Sequence, residues 1–436
     1  MQYLSAIKRV GVLQIVVALA VVFPCYGEER PAKTPIRVSG SYMVGSMMRG
    51  SLSDSWLGKR PLMGGEVSIE FMPTGKWACL QDWNNASVGV ALDYINLSNR
   101  DVAGDAFAPY FFMKIPLVRR PHFILGVRPG IGVSFVTKTY YNTVPAEQKG
   151  ESGSIRYSGV NGAIGSHTNA YFAEALYMEF PIRRGWSVYA SYGWYHISNG
   201  SIRQPNSGYN MFNGMIGVVY QPYEDKYIMP KATVPRHLYD GKRWEVELSV
   251  SGGVRQAYYV DNRYFGAGSI SLSAYWRAYS LFRLGGGIDV FYDGYYRSIC
   301  DEFAGADKST PITYYEKTYL QNGDPANCWR IGISLQPEFV VGNLSIGFHC
   351  GVYLYDNIKN IEPYSEAKKR TEDGRPLRRG IFYAYDIGNA GVTQDGWLYT
   401  RIMLKYHCTK HFFVQAGMKA HLTKVEFIDA GVGFSL

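Results

Sequence analysis

A chain of 436 residues with a formal charge of +9 has room for two medium domains or one large one. Aromatic residues make up 15%, with 36 Tyr and 48 Gly, against only 19% charged residues; that balance suits exposed or membrane-girdle strands. The basic charge suits an anionic partner such as a lipopolysaccharide surface rather than nucleic acid, because no Lys/Arg cluster stands on one element.

The chain opens MQYLSAIKRVGVLQIVVALAVVFPCYGEE. Lys8 and Arg9 precede an apolar run from Val10 to Phe23, and Cys25-Tyr26-Gly27 supplies small residues at a cleavage spacing. Residues 1–27 therefore read as a signal peptide for export; a lipidated Cys25 is the alternative, which the preceding Phe-Pro fits poorly. Past this segment no apolar run is long enough for a membrane helix.

From there almost every segment alternates with period two between turn residues, the signature of strands. Strands are predicted at about 36–48, 64–72, 86–95, 106–118, 121–137, 169–182, 185–198 and 209–222. QPYEDKYIMPKATVPRH then reads as a linker by its prolines. Further strands are predicted at about 243–259, 264–278, 280–292, 329–341, 343–355, 395–407, 410–422 and 425–436. Tight turns at 119–121, 183–185, 341–343 and 408–411 alternate with long polar connections at 138–168, 293–328 and 356–394. Short turns on one side and long loops on the other are the pattern of an outer-membrane barrel.

The expected fold is thus all-β, an antiparallel outer-membrane barrel of roughly eight plus eight strands, as two units or one large barrel made by duplication. A secreted β-sandwich is the soluble alternative. A faint repeat supports duplication: YFAEALYMEFPIRRGWSVYASYGWYHISNG resembles WLYTRIMLKYHCTKHFFVQAGMKAHLTK, both strand, basic turn, strand. The division expected is a leader at 1–27, a first half at 28–222, a linker at 223–242 and a second half at 243–436.

No CxxC or Cys/His spacing points to a metal, and no cofactor is expected. Beyond Cys25 the cysteines are Cys79, Cys300, Cys328, Cys350 and Cys408; Cys300 and Cys328 bracket one polar stretch and are either bridged or free thiols.

The stretch HISNGSIRQPNSGYN at 196–210 carries the candidate chemistry. Trp186, Val188, Ala190, Tyr192, Trp194, His196 and Ser198 share one face of their strand, and that face is the more apolar, hence the lipid-facing one. The loop count puts its His-Ser end at the extracellular rim. The bland reading is an interfacial histidine and a serine that opens a turn. The sharper reading starts from serine chemistry: a hydroxyl is a weak nucleophile at neutral pH until a base takes its proton. Same-face neighbours two apart lie about 7 Å apart at Cβ, close enough for imidazole to do so.

HISNG followed by PNSG, at the seventh-to-eighth strand connection behind a signal peptide, resembles the lipid A 3-O-deacylase family of outer-membrane β-barrel esterases. The resemblance covers about residues 36–222 in strand layout and is specific around 169–220. It implies an outer-membrane esterase that removes an ester-linked acyl chain from lipid A in lipopolysaccharide, with His196 and Ser198 as base and nucleophile. The family's glutamate falls near Asn210 here. Asparagine can orient a histidine but supplies no charge for imidazolium. Glu174 is the other candidate: closing the hairpin at Arg183-Arg184 brings it roughly opposite Trp194, one diagonal from His196. Its alternative role is a headgroup or lysine contact. Asn199 and the backbone at Gly200 are the candidate oxyanion donors.

In the second half, His421 and Thr423 end the matching strand, but an ungapped alignment sets Ala420 and Leu422 against His196 and Ser198. That half therefore reads as lacking the chemistry. The competing function class is a non-enzymatic barrel: a pore, or a structural or adhesive protein.

Overall fold

The computed structural model describes residues 36–48, 60–73, 80, 81, 83–143, 161–183, 185–222, 243–256, 263–279, 282–295, 325–341, 343–356, 398–421 and 424–436. The expected signal peptide, the 223–242 linker, Cys25, Cys79, Cys300 and with it the choice between a bridge to Cys328 and free thiols, Leu422 and Thr423 lie outside the described residues.

Among the described residues, sixteen strands form two closed antiparallel barrels of eight strands each. The first contains β1 (Ile36–Met47), β2 (Leu62–Phe71), β3 (Ser87–Asn96), β4 (Asp105–Arg120), β5 (Phe123–Val136), β6 (Thr168–Arg183), β7 (Trp186–Ser198) and β8 (Tyr209–Tyr220). The second contains β9 (Trp244–Arg255), β10 (Phe265–Tyr279), β11 (Phe282–Asp293), β12 (Trp329–Val341), β13 (Leu344–Asp356), β14 (Leu398–His407), β15 (Phe412–His421) and β16 (Lys424–Ser435). Each strand pairs with its sequence neighbour. Closure comes from β1 on β8, with Met43 opposite Met215, and from β16 on β9, with Val432 opposite Val250. By Cα proximity the chain falls into Met1–Asn199 with Pro205–Arg236, and Gly200–Gln204 with His237–Leu436.

Alternation along each strand sorts side chains to two faces. In β7 the outward set begins with Trp186, 48% exposed, and includes Tyr192, 63% exposed. The inward set includes Tyr189, Ser191 and Tyr195, all buried. The same contrast runs round both barrels: Val67, Leu176 and Ile216 outside the first, Leu248, Leu272 and Leu335 outside the second. An apolar outer belt over a polar interior is what a barrel needs when hydrocarbon replaces water outside it.

Both interiors are packed with charged and hydroxyl groups. In the first barrel Lys114 Nζ lies 2.8 Å from Glu70 Oε2, and Arg37 bonds both Glu70 and Glu179. One layer away, Arg128 meets Glu66 at 2.9 Å and the Tyr110 hydroxyl at 2.8 Å. In the second, Arg283 reaches Glu338 and Glu247, each at 2.6 Å, and Lys405 lies 2.6 Å from Glu338. Arg401 lies 3.0 Å from Asp429, while Asp289 accepts from the Ser271, Ser334 and Tyr399 hydroxyls. An eight-stranded barrel is just wide enough for side chains to fill, and these fill it.

Removing one member of such a network strands its partners. Arg283→Met should cost about 3–5 kcal/mol, because Glu338 and Glu247 lose their guanidinium while buried. The measurement is the temperature at which unboiled protein shifts to its unfolded gel mobility. An unchanged temperature would mean that the lumen ion pairs do not hold the second barrel together.

Candidate active site

The site is built by register. β7 ends at Ser198, and its alternation carries Trp194, His196 and Ser198 to the outer face. Pairing with β8 sets Asn210 directly opposite His196, and pairing with β6 sets Phe172 opposite it on the other side. His196 is therefore flanked on both sides before any side-chain geometry is considered.

The side chains complete a chain of two hydrogen bonds. His196 Nε2 lies 2.8 Å from Ser198 Oγ, and His196 Nδ1 lies 2.8 Å from Asn210 Oδ1. The tautomer follows from the acceptor: a carbonyl oxygen at Nδ1 requires a proton there, which leaves the Nε2 lone pair for the serine O–H. That is the protonation state a general base needs. Two aromatic rings fix the imidazole plane. Trp194 stacks on it at 5.3 Å between centroids and 16° between planes, and Phe172 stands 6.2 Å away on the other strand. Ser198 is 2% exposed, so the hydroxyl sits where water competes weakly for its hydrogen bond.

Glu174 pairs with Trp194 on β6, the register expected from closing the hairpin at the arginines. It lies exposed on the outer face. Among the described residues no hydrogen bond joins it to His196; Asn210 occupies the Nδ1 position. The backbone N–H of Asn199 donates to Asn206 Oδ1 at 2.8 Å, and its Nδ2 donates to Ser166 Oγ at 2.7 Å. Gly200 follows with φ 61°, in the left-handed region that favours glycine. Lys419, on the β15 face next to Ala420, is buried in the second lumen against Glu426 and is no counterpart of His196.

In the sequence PNSG entered as part of the family resemblance, with no role for its separate members. Asn206 is the acceptor for Asn199 just described. Gly208 has φ 72°, and a Cβ added to it would stand 2.9 Å from His196 Cε1 and 2.8 Å from the Ile197 carbonyl oxygen. A glycine in a turn after a candidate nucleophile was visible in the sequence; that it backs the imidazole was not. Gly208→Ala should strain the backbone and push the ring off Ser198. The expected loss is at least tenfold in turnover, about 1.4 kcal/mol of barrier, with the barrel still folded. Steady-state rates on an ester substrate check this, and wild-type turnover would refute the packing argument.

Closed eight-stranded antiparallel barrels with an apolar outer belt and a filled polar interior define the class: an outer-membrane β-barrel protein. A family model described as "Lipid A 3-O-deacylase (PagL)" matches residues 64–219, and one described as "Acyloxyacyl hydrolase, C-terminal domain" matches residues 244–366 and 380–436. The chain belongs to the lipid A 3-O-deacylase family and is an ester hydrolase of the outer membrane.

Among solved structures it is similar to Neisserial surface protein A, at 11% identity and a TM-score of 0.27, over 44% of this chain and 99% of that one. It is similar to the outer membrane enzyme PagL at 14% identity and a TM-score of 0.23, over 41% and 97%. A mutant of the Rh. blastica porin aligns at 11% identity and a TM-score of 0.17, over 92% and 99%. No curated protein matches the chain.

Proposed function

We propose that the protein removes an ester-linked acyl chain from lipid A in lipopolysaccharide, with Ser198 as nucleophile, His196 as general base and Asn210 as the group that orients the base. The observation that carries this reading is the unbroken Asn210–His196–Ser198 hydrogen-bond chain on the outer face at the loop end of β7. In a water-facing enzyme such a chain would open onto solvent. On this reading the loop end of β7 lies at the level of lipid headgroups and the first carbons of their acyl chains. Export by a leader at residues 1–27 is part of the same reading.

The chemistry then runs in two halves. Ser198 Oγ attacks the ester carbonyl carbon as its proton passes to His196 Nε2. The tetrahedral intermediate collapses, and the imidazolium returns that proton to the departing sugar oxygen. Water, deprotonated by the same nitrogen, then attacks the acyl-serine carbonyl, and the imidazolium returns the proton to the departing Ser198 Oγ as the fatty acid is freed. The oxyanion falls to Asn199 and the adjoining Gly200 amide. Asn199 donates its backbone N–H to Asn206 Oδ1 and one Nδ2 proton to Ser166 Oγ, and the oxyanion role is assigned to the other Nδ2 proton. Outward aromatic groups below the site, Tyr192 stacked on Phe212 at 6.0 Å and Trp194, give the acyl chain an apolar track.

The competing pore reading has the filled lumens against it. The experiment is mass spectrometry of lipid A incubated with the purified protein in detergent. Loss of one acyl chain, with the matching free fatty acid, is the expected result. Intact lipid A after prolonged incubation with folded protein would end the proposal.

A further inference from the structure

We infer that Ser166, in the connection leading into β6, is a positioning residue for the reaction: it acts through Asn199 to hold the segment that follows the nucleophile. The inference rests on the reading of Ser198 as that nucleophile. Ser166 belongs to a different connection from the HISNG motif, and nothing in its local sequence marks it.

Asn169 sits at the start of β6, 3% exposed, and its Nδ2 donates to the carbonyl oxygens of Ser166 at 2.9 Å and His167 at 3.1 Å. Carbonyl oxygens only accept, so the amide of Asn169 has one possible sense, with Nδ2 on that side. Its Oδ1 is thereby turned to the Ser166 hydroxyl, which donates to it at 2.9 Å. A hydroxyl that has spent its single proton presents only lone pairs to its next neighbour. That neighbour is Asn199 Nδ2, at 2.7 Å, so Asn199 must present its NH2 rather than its carbonyl to Ser166.

Two backbone carbonyls thus dictate, through Asn169 and Ser166, which way the Asn199 amide faces. Asn199 is the residue after Ser198 and is itself 3% exposed. Its main chain is pinned separately, by Asn206 Oδ1 on its N–H. The same connection is anchored to the loop's far side. Ile164 forms a bridge with Asn206, and the Gly208 N–H donates to the Ala163 carbonyl at 3.0 Å. Main-chain anchors fix where the loop lies. The Ser166 contact bears on the orientation of a side-chain amide next to the nucleophile. A misoriented amide turns a carbonyl dipole towards developing negative charge, which raises the barrier without weakening substrate binding.

The test uses the full-length protein in detergent with lipid A as substrate. Ser166→Ala should lower kcat about tenfold, with KM changed less than twofold. Ser166→Thr, which keeps a donating and accepting hydroxyl, should restore most of the rate. In an Asn199→Ala background Ser166→Ala should have no further effect, because its influence passes through Asn199. A merely structural serine would instead give additive losses and no such dependence. If Ser166→Ala fails to fold, Ser166→Cys keeps the shape with a poor hydrogen-bonding group and should show the same fall in kcat. Wild-type kcat in the folded Ala or Cys variant overturns the inference, as does additivity with Asn199→Ala. Full activity in Ser198→Ala would instead overturn the nucleophile assignment; an inactive Ser198→Ala with an unaffected Ser166→Ala removes the positioning role alone.

Discussion

Ser198→Ala and His196→Ala are each expected to lower deacylation by at least about a thousandfold while leaving a closed, heat-modifiable barrel. The reason lies in the 2.8 Å Oγ–Nε2 contact. Without the serine there is no acyl-enzyme. Without the imidazole the hydroxyl keeps its proton and attacks poorly. Nucleophile and base act as one unit, so the double variant should be no slower than either single one. Neither substitution removes a lumen side chain, since both groups sit on the outer face with Trp194, so folding should be spared. The check is acyl release from lipid A at equal amounts of folded protein. A Ser198→Ala variant with wild-type turnover would remove the proposed mechanism, whatever the family membership.

The second large effect is expected at Asn210. Its Oδ1 holds the Nδ1–H of His196 from directly across the β7–β8 pair. Asn210→Ala should free the ring to rotate or change tautomer, at a cost of about a hundredfold, the low end of what a general base contributes. An asparagine oxygen orients the ring but carries no charge, so it stabilises imidazolium less than a carboxylate does. Asn210→Glu, the residue that family resemblance leads one to expect, should therefore preserve or raise the rate. Glu174→Gln should cost less than tenfold, because Trp194, not His196, is its cross-strand partner. Rates for the three variants in parallel decide the matter. If Glu174→Gln were the slowest, the orienting role would move to β6; if none fell tenfold, the site would be a Ser-His dyad.

In the second barrel β15 carries Lys419 inward against Glu426, part of an ion-pair interior like that of the first barrel. Both halves therefore solve the same problem, a polar interior inside an apolar belt.

Much of this was legible in the chain itself. Period-two alternation is local, so the strands, their polar and apolar faces, and the outward position of His196 and Ser198 could be read from neighbours two residues apart. The tight turns at the arginines set hairpin register well enough to bring Glu174 opposite Trp194. Closure could not be read. Whether β8 returns to β1 or continues into β9 depends on pairing between strands far apart in sequence, and alternation is identical in either case. The same holds for the interiors: Arg37 meets Glu70 and Glu179, 33 and 142 positions away, and no spacing rule links them.

The choice between Asn210 and Glu174 also belonged to tertiary structure. Both share the outer face with a neighbour of His196, and only the register of the β7–β8 pair, fixed by the intervening loop, made one of them the Nδ1 partner. The sequence by itself determined which face each residue takes, because side-chain direction in a strand is set by the backbone two residues at a time. The folded barrel alone decided which of those residues meet, because hydrogen bonds between side chains require angstrom-scale proximity that chain order does not specify.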